Sequence, residues 1–238
     1  MTNRILNLIK VDIKRIVTDP NLSGYLLVPI ALIFFIRYFV PYITNKYPVI
    51  ADYHHLIMMS GVMQTAIIFG FITSFMILDE KDENVLQVIR VMPISPFYFI
   101  VYRLTFATFF SILGAFIMFV SCDIAYPGMV NVILLSILYG LAAPFMALII
   151  ATFANNKIEG MAYFKFVDLI LMVPLMSLFI GGFLKYGFAI IPVFWAHSLY
   201  QLSLDESYHF IYFLIGILFN LFALFILFKQ FKKRVFDR

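Results

Sequence analysis

Six runs of mostly apolar residues leave this chain few folds to choose from. A helix crossing ~30 Å of hydrocarbon needs about 20 such residues. The runs are Gly24–Tyr42, interrupted by Arg37; His55–Leu78, uncharged; Phe97–Val120, charged only at Arg103; Val130–Phe153, uncharged; Phe164–Phe183, with Lys165 and Asp168 near its start; and Phe210–Phe228, uncharged. The expected fold is therefore an all-α polytopic membrane protein with six transmembrane helices. These form one domain over residues 1–238, with spans at about 24–42, 55–78, 97–120, 130–153, 164–183 and 210–228. Composition agrees, with 63% hydrophobic and 13% charged residues against roughly 45–50% and about 25% in soluble domains. That excludes a soluble enzyme, a disordered chain and a disulfide scaffold. The single cysteine, Cys122, makes no internal bridge.

The first 20 residues are too densely charged for a secretory leader, with Arg4, Lys10, Asp12, Lys14, Arg15 and Asp19 among them. Ile5, Leu8, Ile9, Ile13, Ile16 and Val17 recur at helical spacing. This predicts an amphipathic helix on the membrane surface, with its lysines and arginines facing water. Asp19-Pro20 ends it. If both termini are cytoplasmic, 14 of the 17 Lys and Arg lie inside, and only Arg37, Lys46 and Lys185 lie outside. The bias predicts an N-in, C-in topology. It also assigns the net charge of +4 to a membrane surface rather than to nucleic acid.

Catalytic and cofactor motifs are absent from the sequence. There is no GxxxxGK[ST] loop to cradle nucleotide phosphates, no HExxH and no CxxC. His54 and His55 are adjacent, which points them apart on a helix, and His197 and His209 stand isolated toward the outer face. No membrane-depth serine and histidine pair suggests a hydrolase. No metal or cofactor is expected on this chain.

The longest polar stretch between runs is Leu78–Pro96. Asp79, Glu80, Asp82 and Glu83 open it, as acids favour a helix N-terminus through the macrodipole. Val85, Leu86, Val88, Ile89 and Met92 follow at helical spacing, and Pro93 and Pro96 stop the helix. A short amphipathic helix is expected, either resting on lipid or docking into a soluble partner. Its excess of acids over Lys81 and Arg90 disfavours anionic lipid.

These residues resemble a family. Permeases of the ABC-2 type carry a Glu-Arg-Glu-x-Gly-Thr-Leu-Glu-x-Leu-x-x-x-Pro-x-Ser pattern here, then a span with an early basic residue. This chain reads Glu80-Lys81-Asp82-Glu83-Asn84-Val85-Leu86-Gln87-Val88-Ile89-Arg90-Val91-Met92-Pro93-Ile94-Ser95, and Arg103 takes the basic position. Asn84 and Val85 depart from Gly and Thr. Pro174, Gly181-Gly182, Pro192 and Trp195 resemble the family's fifth span and the outer segment after it, and Ile190–Leu202 looks like its short outer helices, without their Asn-Pro element.

The resemblance implies one membrane half of an ATP-driven exporter. A second permease subunit, identical or not, would pack beside it, and cytoplasmic ABC ATPase subunits would bind ATP and Mg. Glu80, Lys81, Asp82, Glu83, Val85, Leu86, Val88, Ile89 and Pro93 would form the coupling helix. Its apolar residues would enter the ATPase groove, and Glu80, Asp82 and Glu83 would make rim contacts. Arg103 would anchor the third span, against Glu80 or Asp168. Asn155, Asn156, Lys157 and Glu159 would be a second cytoplasmic contact or a plain polar turn. The substrate path would run where the second and fifth spans meet their mates, past Gln64, Thr65, Phe71, Met172 and Met176. Such a wall suits an amphiphilic or hydrophobic cargo, drug-like or lipid-like; the counter-reading is that these side chains face lipid or core.

Two other functions compete. One is a membrane-embedded lipid-modifying enzyme using His197, Asp205, Glu206 and His209 at the outer face. The other is a non-transporting scaffold or immunity protein. The expected location is a bacterial inner membrane.

Overall fold

The computed structural model describes residues 2–83, 96–204 and 210–235 of the chain. Within these every regular element is helical. Six helical stretches are long and apolar enough to cross a membrane: Leu22–Lys46, Pro48–Asp82, Tyr98–Ser121, Met129–Phe153, Lys157–Phe179 and Phe210–Val235. They match the six expected runs, mostly with longer ends. A further helix, Thr2–Thr18, precedes the first span. The bend between the two falls at Asp19, before Pro20, as the sequence predicts.

Proline sets the irregularities. Pro41 has no N–H for the carbonyl of Arg37, and the first span widens into a π-turn over Phe35–Phe39, with the Val40 N–H bonded to the Phe35 carbonyl. In the fourth span Pro144 leaves the Gly140 carbonyl unpaired by its normal donor, and the helix breaks at Leu141. In the fifth, Pro174 ends the α-helix at Met172 and a 3-10 stretch, Val173–Phe179, carries the chain on. That span therefore stops at Phe179, short of the expected Phe183. Gly182, at φ 71°, then turns the chain into a second 3-10 segment, Gly182–Ile190. The outer helix Val193–Ser203 completes the segment before the sixth span.

The second span is the hub, packed against the first, third, fourth and fifth. Of its apolar window 89% is buried, against 11% for the sixth span and 22% for the fifth. Most of the second span is thus enclosed within the chain itself. Lipid is as apolar as a helix, so dispersion and close fit hold such a bundle together. Gly70 shows the fit: a Cβ there would run into the Ala143 carbonyl oxygen and lie 2.9 Å from Ala143 Cα. The second and fourth spans thus touch backbone to backbone.

Candidate functional site

Charged side chains gather where the second span ends and the third begins. The acids Asp79 and Glu80 lie in the last turn of the helix His54–Asp82, and Glu83 caps it. This reverses the expected arrangement, in which the acids open a new helix. Acids at a helix C-terminus oppose the macrodipole, so their charge must be met from elsewhere.

Three other elements meet it. Arg103, 5% exposed, reaches from the third span to Glu80 and, at 2.6 Å, to Asp12 of the N-terminal helix. Its guanidinium also lies 5.3 Å from the Phe99 ring centre. Tyr102 donates to Asp12 at 2.8 Å. From the N-terminal helix Arg15 pairs with Asp79 at 3.0 Å and approaches Glu80 at 3.9 Å. From the start of the fifth span Lys157 pairs with Asp79 at 2.6 Å. Asp12, Asp79 and Glu80 thus balance Arg15, Arg103 and Lys157. Lys81 sits on the rim of this group and donates to the Ala151 and Ala154 carbonyls, the latter at 3.1 Å, at the end of the fourth span. A cation there suits the negative end of that helix.

The cluster therefore clamps the end of the second span to the N-terminal helix and to the third, fourth and fifth spans. Arg103 takes Glu80 rather than Asp168, which instead accepts from Gln64 at 2.8 Å. Glu80 is buried, so the expected rim contact is corrected to an internal ion pair; Asp82 and Glu83 are exposed. Sequence reasoning missed Asp12, Arg15 and Tyr102 and placed Arg15 toward water. Acids and bases flanking apolar runs in near-equal number were the available signal, since such charges seek partners. Val85, Leu86, Val88, Ile89 and Pro93 lie outside the described residues.

The loop after the fourth span is tied in the same way. Asn156 caps the fifth span by accepting from the Glu159 N–H at 2.9 Å. The Glu159 carboxylate accepts in return from the Asn155 N–H at 2.8 Å and side-chain amide at 2.9 Å. At buried Gly160 a Cβ would stand 2.6 Å from Leu78 Cδ1, so this turn presses on the second span.

The expected substrate path is not assembled within one chain. Thr65 is buried and bonds the Gly61 carbonyl at 2.9 Å. Phe71 is buried among Tyr25, Phe75 and Phe164, with ring centres 4.2 to 4.5 Å away. Gln64 and Met172 are half-buried, and Met176 is exposed on the fifth span. At the opposite end His197 is fully buried and shares a 2.7 Å hydrogen bond with Tyr139. Burial lowers its pKa to about 3. This corrects its expected isolation at the outer face; Asp205, Glu206 and His209 lie outside the described residues.

Residues 12–228 match the family model described as "Fluoroquinolones export permease protein Rv2686c-like". Two Mycobacterium tuberculosis proteins are similar: "Fluoroquinolones export permease protein MT2760" of strain CDC 1551 and "Fluoroquinolones export permease protein Rv2686c" of strain H37Rv. Each is 26% identical over 190 residues, covering 78% of this chain and 75% of the relative. No solved structure matches.

Proposed function

The chain belongs to the Rv2686c-like fluoroquinolones export permease family, and from that premise we propose that it is an ABC-2 type permease subunit driven by a separate ATPase. It is a multi-pass component of a membrane transporter. In this reading it sits in a bacterial inner membrane with both termini cytoplasmic. The cargo is an amphiphilic aromatic compound of the kind named for its relatives, moved outward. A second permease subunit packs beside it, and the exposed face of the fifth span, with Phe166, Leu169 and Met176, is apolar enough to receive one. ATP and Mg bind the partner ATPase.

The observation that carries this reading is the ion-pair clamp at Asp79 and Glu80. The segment that follows, with Val85, Leu86, Val88, Ile89 and Pro93, is the proposed coupling helix. A push on it enters the chain at the last turn of the second span. Arg103, Arg15, Lys157 and Lys81 pass that push to the surrounding helices, which suits a rigid-body switch. Glu80 is on this account a positioning residue and not part of the ATPase contact.

The test is fluoroquinolone efflux from cells expressing the chain with its native ATPase. Val88→Asp puts a charge on the docking face and is expected to cut efflux by roughly tenfold or more, with the amount of chain in the membrane unchanged. Efflux at the wild-type rate in that variant would overturn the coupling role.

A further inference from the structure

A cleft of about 890 Å³ opens between the third, fourth and sixth spans. Its walls are apolar, with Leu104, Phe109, Pro144, Leu148, Phe225 and Phe228 prominent, and its rim carries Lys229 and Lys232. The threonines in the wall are turned to their own helices: Thr105 donates to the Val101 carbonyl and Thr108 to the Leu104 carbonyl, each at 2.8 Å. Both lysines are exposed, and among the described residues neither has a carboxylate within ion-pair distance. Leu221, Phe225, Phe228 and Lys232 follow one another at spacings of three and four, so a single helix face carries both the greasy wall and the charge.

The dimensions narrow the occupant. The lining runs from Val101 to Ile112 on the third span and from Leu221 to Lys232 on the sixth. At about 1.5 Å of rise per residue each wall is ~16 Å long, close to one leaflet of a ~30 Å hydrocarbon core. A ligand that fits is apolar for one leaflet's depth and anionic at the basic end.

We propose that this cleft is a specific site for an anionic phospholipid of the leaflet at the basic end of the bundle, its acyl chain along Leu104, Phe109 and Phe225 and its phosphate on Lys229 and Lys232. The volume lies within the ~300–1,000 Å³ usual for ligand pockets, and paired bases at the edge of a helix cleft match lipid headgroup recognition. The site stands apart from the ion-pair clamp, whose bases are already matched.

The test uses the full chain in vesicles. Trp195 is the only tryptophan, so Trp195→Phe with Phe225→Trp leaves one fluorophore, in the cleft. Quenching is then measured with brominated phosphatidylglycerol and with brominated phosphatidylcholine. Phosphatidylglycerol is expected to occupy the site roughly thirtyfold more strongly at low salt, since two bases each attract anionic lipid. The preference should shrink in high salt. It should vanish in Lys229→Gln/Lys232→Gln and survive in Lys233→Gln, which lies off the cleft. Equal quenching by both lipids in the parent, or a preference retained in the double variant, would overturn the proposal. So would an absence of quenching by either lipid, which would mean that protein, such as a second copy of the chain, covers the cleft.

Discussion

Removing Arg103 should be the most damaging single change at the clamp. Its guanidinium satisfies Asp12 at 2.6 Å and also pairs with Glu80, with the three side chains 4–5% exposed. In Arg103→Leu, Asp12 keeps only the Tyr102 hydroxyl and Glu80 keeps only Arg15, at 3.9 Å. Stranding a buried charge costs about 3–5 kcal/mol. For a chain of this size each kcal/mol shifts Tm by roughly 2–4 °C, so a loss on the order of 10 °C is expected. The protein supplies its own reporter. Cys122 is the sole cysteine and is buried, so a thiol-reactive fluorophore in detergent reads unfolding directly. The control is Asp12→Leu/Glu80→Leu/Arg103→Leu. Replacing a whole buried ionic group by apolar side chains is often neutral or better, so this triple variant should recover most of the lost Tm. A shift under about 2 °C in Arg103→Leu, or no recovery in the triple variant, would mean that the clamp's charges are not held as a buried, mutually compensating group.

Other sites give independent expectations. Gly70→Val drives a side chain into the Ala143 backbone and should cost about 3 kcal/mol, read as a fall in Tm; Gly24→Ala, with nothing within 4 Å, should instead gain a few tenths of a kcal/mol or more in the same assay. His197 has a pKa of about 3 in the fold and near 6.5 unfolded, so below pH 6.5 the unfolded chain binds the extra proton and stability falls as pH falls. By pH 5 this amounts to about 2 kcal/mol, and His197→Gln should remove that share of the acid sensitivity in Tm measured from pH 7 to pH 5. Burial pushes the Cys122 thiol up to about 11, so at pH 8 only about one thiol in a thousand is ionised; maleimide should label the folded protein far more slowly than the unfolded chain, and equal rates would contradict that burial.

The six spans were readable because each is an apolar run longer than a soluble core helix needs, and the proline and glycine punctuation at Pro20, Pro174 and Gly182 lies in the residues themselves. Which span lies at the centre was not readable. When both the lipid and the protein interior are apolar, a helix buried on all sides and one bathed in lipid look alike. Phe71 could therefore be taken for a path-lining residue although it is enclosed by Tyr25, Phe75 and Phe164. The pairing of Arg103 with Glu80 was one of two options, and distance along the chain gave no means of choosing. Asp12 and Arg15 escape a sequence reading because helical periodicity treats a charged residue as solvent-facing, whereas here Arg15 turns inward to the acids Asp79 and Glu80 and Asp12 turns inward to the Arg103 guanidinium. Macrodipole preference favours acids at the start of a helix; here three bases from other elements override it. The N-in, C-in topology puts His197 at the outer end, between the fifth and sixth spans, and only the fold reveals Tyr139 beside it.

Co-purification shows whether an ATPase docks on this chain at all. The chain carries a tag, is expressed in its native host and is extracted in mild detergent. A soluble partner in stoichiometric amount bearing a GxxxxGK[ST] loop is expected, retained by the wild type and lost from Val88→Asp. Recovery of the intact chain with no such ATPase, even after crosslinking, would contradict it.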